Sequence, residues 1–176
     1  IDMNVRHKFG RTAFMTACEC GNVDVVKLLL DHSSVQRNID YNVQNNNGRT
    51  ALMLACFFEK TDVVKSILES SEMKHIDLNV RDHDGNTSFM LACMSNRYNS
   101  VNAFLEYYES QNISINMNYQ NSLGKTVFFI VAASKSKLSN PVLKLLLSYS
   151  ERNKIEILPE SLPQWLRAND TEPCVE

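Results

Sequence analysis

Ile39-Asp40-Tyr41-Asn42-Val43-Gln44, followed by Gly48-Arg49-Thr50-Ala51-Leu52-Met53-Leu54-Ala55-Cys56, is the stretch on which the fold turns, because the chain says it four times. The opening phrase stands also at Ile1-Asp2-Met3-Asn4-Val5-Arg6, at Ile76-Asp77-Leu78-Asn79-Val80-Arg81 and, altered, at Ile115-Asn116-Met117-Asn118-Tyr119-Gln120. Each copy runs through a short polar stretch into Gly-x-Thr: Gly10-Arg11-Thr12, Gly48-Arg49-Thr50, Gly85-Asn86-Thr87 and Gly124-Lys125-Thr126. The glycine spacings are 48 − 10 = 38, 85 − 48 = 37 and 124 − 85 = 39. Self-similarity at a period of this size marks a repeat architecture, in which each copy is one supersecondary unit.

Every copy carries the same internal physics. The polar segment before Gly is turn-prone, since glycine accepts the positive φ of a tight turn. The Thr that follows suits a helix N-cap, where its hydroxyl takes an orphan backbone N–H. A short apolar helix comes next, at 13–18, 51–56 and 88–93, ending in small Ala and Cys that let neighbours approach. After a break a second helix rich in Val and Leu is expected at 25–30, 63–68, 101–105 and 142–147. In the last copy Asn140-Pro141 supplies a cap with proline at the first helical position. One turn and two helices cannot bury an apolar face alone, but four stacked units can.

Thr50-Ala51-Leu52-Met53-Leu54-Ala55 resembles the Thr-Pro-Leu-His-x-Ala motif of ankyrin repeats. Gly21-Asn22-Val23-Asp24-Val25-Val26-Lys27-Leu28-Leu29-Leu30 is similar to the family's second helix, and the Asp-x-Asn phrase to its hairpin. The resemblance covers roughly residues 1–150 and implies an all-α solenoid of stacked helix-turn-helix units with short β-hairpin or turn fingers. The expected domain is 1–153, with repeats at about 1–38, 39–75, 76–114 and 115–153 and a capping tail at 154–176. The departures are specific. The family's Pro is Ala13, Ala51, Ser88 and Val127, and its His is Met15, Met53, Met90 and Phe129, so packing has to replace the hydrogen bonds of that His. From the last apolar residue of helix two to the next glycine there are 18, 17 and 19 residues. The family pattern needs about 13, so helix two is about one turn longer, the loop after it is longer, or both. The fourth copy is degenerate, with Lys135 where Gly21 stands in the first and three residues inserted before its second helix.

In the tail, Ile155, Ile157, Leu158, Leu162, Trp165 and Leu166 form an amphipathic set punctuated by Pro159 and Pro163. It reads as an end seal for the last repeat, the alternative being a docking motif for a third protein.

Composition excludes several function classes. A net charge of −2 gives no basic field for nucleic acid or an anionic membrane. The densest apolar cluster, 127–133, is far short of the ~18 residues of a membrane span. Five cysteines, four of them inside helical apolar patterns, favour reduced thiols in an intracellular (cytoplasmic or nuclear) setting. The Asn-x-Ser/Thr triplets at Asn86, Asn112 and Asn169 would be glycosylated only in a secreted chain. The chain opens on Ile1, inside a repeating phrase, and is expected to be part of a longer chain.

No catalytic constellation is present in the sequence. Gly124-Lys125-Thr126 looks like the end of a phosphate-binding loop, but that motif needs a glycine where Tyr119 stands. Cys18-x-Cys20 has no second cysteine pair, and His7, His32, His75 and His83 have no ligand spacing. Cys18, Cys56 and Cys93 share one phase and read as packing residues. Neither a metal nor a cofactor is called for.

What the resemblance implies is a surface for another protein, a peptide segment or a folded domain, made by the finger tips and the edge of the first helix. Carried onto matching positions it comprises Arg6, Lys8, Phe9, Arg11, Glu19 and Cys20, then Gln44, Asn46, Asn47, Arg49, Phe57 and Phe58. The third copy adds Arg81, His83, Asp84, Asn86, Met94 and Ser95, and the fourth Gln120, Ser122, Leu123 and Lys125. Phe9, Phe57 and Phe58 occupy usually polar positions and are candidate aromatic anchors. Alternatively, Phe57 and Phe58 pack against a helix end altered by Glu59 standing where the break-forming glycine belongs. Lys8, Arg11 and Arg49, with Asp82 and Asp84 further along, suggest a field that changes sign along the groove. Asn4, Asn42, Asn79 and Asn118 match the position at which family members are hydroxylated, though an Asn there also suits a bond to its own hairpin backbone.

The expected function is a non-enzymatic scaffold or adaptor module. Its alternatives are an inhibitor of a signalling or transcription factor, a substrate adaptor of a ubiquitin ligase, and a regulatory domain of a larger enzyme or channel. A methyl-lysine reader would need an aromatic cage, for which Phe57 and Phe58 are too few.

Overall fold

A computed structural model describes residues 2–31, 39–70, 74–133 and 140–163. Among them are eight α-helices: α1 Ala13–Cys20, α2 Val23–Asp31, α3 Ala51–Phe57, α4 Thr61–Leu68, α5 Ser88–Met94, α6 Tyr98–Ser110, α7 Val127–Ala132 and α8 Pro141–Arg152. Odd-numbered helices stack on one another in chain order, even-numbered helices do the same, and each odd helix packs on its even partner. Two layers of helices therefore enclose one continuous core.

The first helices begin alike because the same cap recurs. Thr12, Thr50, Thr87 and Thr126 each accept, through the hydroxyl, the N–H of Met15, Met53, Met90 or Phe129 at 3.2–3.3 Å. Asn140 caps α8, its carbonyl oxygen taking the N–H groups of Val142 and Leu143, with Pro141 at the first helical position. The break between helices needs a left-handed residue to turn the chain. Gly21 supplies it in the first repeat, whereas Glu59 and Asn96 take φ of 59° and 53° in the second and third.

Where the His of the family motif would stand, Met15, Met53 and Met90 are buried between helices, a site for an unbranched, polarisable side chain. Cys18, Cys56 and Cys93 are buried in line with them. Burial pushes all three thiols well above their usual range, with Cys56 adding to the effect at Cys18 and Cys93 at Cys56.

No strand occurs among the described residues, so the fingers are turns rather than β-hairpins. Their shape comes from side-chain oxygens bonding backbone two and four residues on. At the base, Asp2, Asp40, Asp77 and Asn116 accept the N–H of Asn4, Asn42, Asn79 and Asn118. Near the tip, Asn45, Asp82 and Asn121 each accept two N–H groups, those of residues 47 and 49, 84 and 86, and 123 and 125.

This frees the phrase asparagines for a different task. The expected bond to the asparagine's own hairpin is not how they are used. Asn4 accepts the N–H of Asp40 at 2.8 Å. Asn42 accepts that of Asp77 at 2.8 Å and donates to the carbonyl of His75 at 2.8 Å. Asn118 takes the N–H of Leu158 and donates to the carbonyl of Glu156. Each thus ties its repeat to the next segment. Asn79 is exposed and makes no such bond among the described residues. At that seam lies a cavity of about 250 Å³ bordered by Asn79, Asn116 and Tyr119, whose buried hydroxyl has no partner there.

The extra residues of the long period have a visible destination in the third repeat, and the second helix of the fourth is similarly long. The α6 and α8 helices run 13 and 12 residues against 8 for α4, about one turn more. In the first two repeats the connection after helix two lies wholly or partly outside the described residues. After α8, Ile155, Ile157 and Leu162 pack on the core, and Thr126 donates to the carbonyl of Ser161 at 2.6 Å. Trp165 and Leu166 lie outside the described residues.

Candidate functional site

The finger tips are joined edge to edge by backbone. Asn46 N–H donates to the carbonyl of Phe9, His83 N–H to that of Asn47, and Ser122 N–H to that of Asp84. The approach is close: a Cβ on Gly48, at φ +74°, would stand 2.9 Å from the His83 nitrogen. Side chains of Lys8, Phe9, Asn46, Asn47, His83 and Asp84 consequently stand exposed on a fixed row.

A second row comes from the ends of the first helices. There, Phe57 is 44% exposed, Phe58 39% and Met94 52%, although every other residue of α3 and α5 is buried. The two phenylalanines meet edge to face at 5.1 Å between centroids. They do not fold back into a helix end altered by Glu59, which instead turns outward to pair with Arg97.

Residues at the finger root join the two rows. Arg11 bridges to Glu19 at 2.9 Å. The equivalent Arg49 lays its guanidinium over the Phe57 ring, 3.8 Å from the centroid. Lys125 lies 5.8 Å from the ring of Phe129, Lys8 stands over Phe9 at 5.0 Å, and Arg81 covers Tyr119 at 4.1 Å. Finger roots and first-helix ends meet at the Arg11–Glu19 and Arg49–Phe57 contacts, and the thirteen candidates Lys8, Phe9, Arg11, Glu19, Asn46, Asn47, Arg49, Phe57, Phe58, Arg81, His83, Asp84 and Met94 are all exposed or partly exposed.

The electrostatics correct the sequence reading. Asp82 adds no negative end to this face, because its side chain is 1% exposed and its Oδ2 accepts from Arg49 Nε at 3.3 Å. Arg11 and Arg49 are likewise held by Glu19 and Asp82, and of the expected sign-changing series only Lys8 and Asp84 stand fully in solvent. Sequence reasoning missed the polar chain beneath: Arg49 to Asp82, Asn86 Nδ2 to Asp82 at 3.5 Å, and Asn121 Nδ2 to Asn86 at 2.8 Å. Its signal was available in the Asn or Asp that recurs three residues before Gly48, Gly85 and Gly124.

A family model for ankyrin repeats in three copies matches residues 1–82 and again 33–119. The chain belongs to the ankyrin-repeat family. Proteins built from ankyrin repeats generally act as protein–protein interaction modules rather than as enzymes. The match ends before α7 and α8, where the repeat motif has decayed most. A search of curated proteins finds no match. Among the described residues no group of three His, Cys, Asp or Glu side chains is placed to hold a metal. No helix there is long and apolar enough to cross a membrane.

Proposed function

We propose that this chain is a non-enzymatic scaffold or adaptor that captures another protein on the face between its finger tips and first-helix ends. The observation that carries this reading is the exposure of Phe57, Phe58 and Met94 at the ends of helices that are otherwise buried. Large apolar groups clustered in solvent beside polar fingers are what an interface core and rim require. Further support comes from the tip-to-tip backbone bonds, which fix the face before a partner arrives and so reduce the ordering cost of binding. Free thiols at Cys18, Cys20, Cys56 and Cys93 suit a reducing, intracellular setting.

Affinity capture from lysate, read by mass spectrometry and repeated with Phe57→Ala and Phe58→Ala, tests this. Both side chains are half in solvent, so each truncation is expected to remove captured proteins while changing stability by under about 1 kcal/mol. Retention of the same proteins by both variants, or destabilisation of about 3–5 kcal/mol as for a core phenylalanine, overturns the reading.

A further inference from the structure

We infer that the centre of this face selects a partner segment in which a carboxylate sits next to a bulky apolar side chain, the carboxylate going to Arg49 and the apolar group to Phe57 and Phe58. The inference rests on the capture face proposed above and names the chemistry it takes. Arg49 is held in two ways at once. Its Cζ lies over the Phe57 ring, 3.8 Å from the centroid, and its Nε donates to Asp82 at 3.3 Å. The guanidinium has five N–H donors. Those on its two terminal nitrogens have no partner among the described residues.

Asp82 cannot draw the rest of that fork inward, because its own oxygens are committed. Oδ1 accepts from the N–H groups of Asp84 and Asn86 at 3.1 and 2.8 Å, and Asn86 Nδ2 shares Oδ2. A planar fork fixed on an aromatic ring, with donors left over, fits an incoming carboxylate, and the exposed edge of the same ring accepts an apolar neighbour. Charge on the face points the same way. Glu19 and Glu59 are each taken by an arginine, which leaves Lys8 and Lys125 against Asp84. The bias is local, since the whole chain carries −2.

The test uses three synthetic dodecapeptides with one Leu–Phe core, flanked on both sides by Glu, Gln or Lys, and fluorescence anisotropy at low salt. The Glu-flanked peptide is expected to bind about tenfold more tightly than the Gln-flanked one, and the Lys-flanked one weakest. The double variant Arg49→Gln/Asp82→Asn removes the pair as a unit and leaves no buried carboxylate unpaired, with a thermal melt checking the fold. In it the Glu-over-Gln preference is expected to fall to about twofold or less, the remainder coming from the exposed lysines. Equal binding of all three peptides that is lost in Phe57→Ala overturns the charge reading and leaves the capture face standing. Binding indifferent to Phe57→Ala, or no binding at all, removes both. A Glu preference that survives in the folded double variant also overturns the assignment to Arg49.

Discussion

Asn42→Ala removes two hydrogen bonds that tie the second finger to the segment leading into the third repeat, to Asp77 N–H and to the His75 carbonyl, each 2.8 Å long. A neutral hydrogen bond contributes about 0.5–1.5 kcal/mol net, and water reaches both partners after the change, so the loss is expected near 2 kcal/mol in total. For a domain of this size that is a fall in melting temperature of roughly 4–8 °C. Asn79→Ala is the built-in control. It changes the same residue type in the same finger phase, but no inter-repeat bond is lost, and the effect should stay within about 0.5 kcal/mol. Urea unfolding followed by circular dichroism measures both, with unchanged slope confirming that stability alone has moved. Asn42→Asp keeps the acceptor for Asp77 N–H and loses the donor to His75, so it belongs between the two. If Asn79→Ala costs as much as Asn42→Ala, the asparagines act through their own fingers and the inter-repeat account is wrong.

Three further outcomes follow from single features. Gly48→Ala places a Cβ 2.9 Å from the His83 nitrogen at φ +74°, whereas Gly124→Ala at φ +69° meets nothing within 4 Å. The second should lose only the left-handed cost of about 1–2 kcal/mol and the first clearly more, both read from urea midpoints. Glu59→Gly relieves a left-handed residue at φ 59° and gives up an exposed pair with Arg97. A net gain of about 0.5–1 kcal/mol is expected by calorimetry, and a loss would mean the ion pair outweighs the backbone strain. The buried thiols of Cys18, Cys56 and Cys93 have folded pKa values raised above the unfolded one by desolvation. The native state thus holds protons that the unfolded chain gives up, so stability is flat below about pH 8.5 and falls above it, by up to about 1.4 kcal/mol per unit for each thiol. Melting temperatures between pH 7 and 10 measure this, and at pH 8 a thiol reagent should label Cys20 in the folded protein while sparing Cys18, Cys56 and Cys93.

What the sequence determined by itself was everything carried by local, repeated signals. Thr caps, the glycines of the fingers and the apolar phase that buries Cys18, Cys56 and Cys93 all depend on residues within a few positions of one another, whereas the long period left open whether helix two or the loop after it took the extra residues. Their recurrence, four times for the Thr caps and finger glycines and three for the cysteines, made them legible. The candidate face was legible only as a list of positions carried over from a family. Its support was decided by tertiary structure, because the tip-to-tip bonds and the Arg49–Asp82 pair join residues 33–38 positions apart that stacking alone brings together. Arg49 and Asp82 read as two points of a surface field and are in fact one largely buried pair. Asn42 and Asn79 are the same residue in the same phrase, yet one ties its finger to the next and the other makes no such bond among the described residues. No local pattern separates such cases, since a side chain's partner is set by how closely the next repeat approaches, and that distance exists only once the stack has formed.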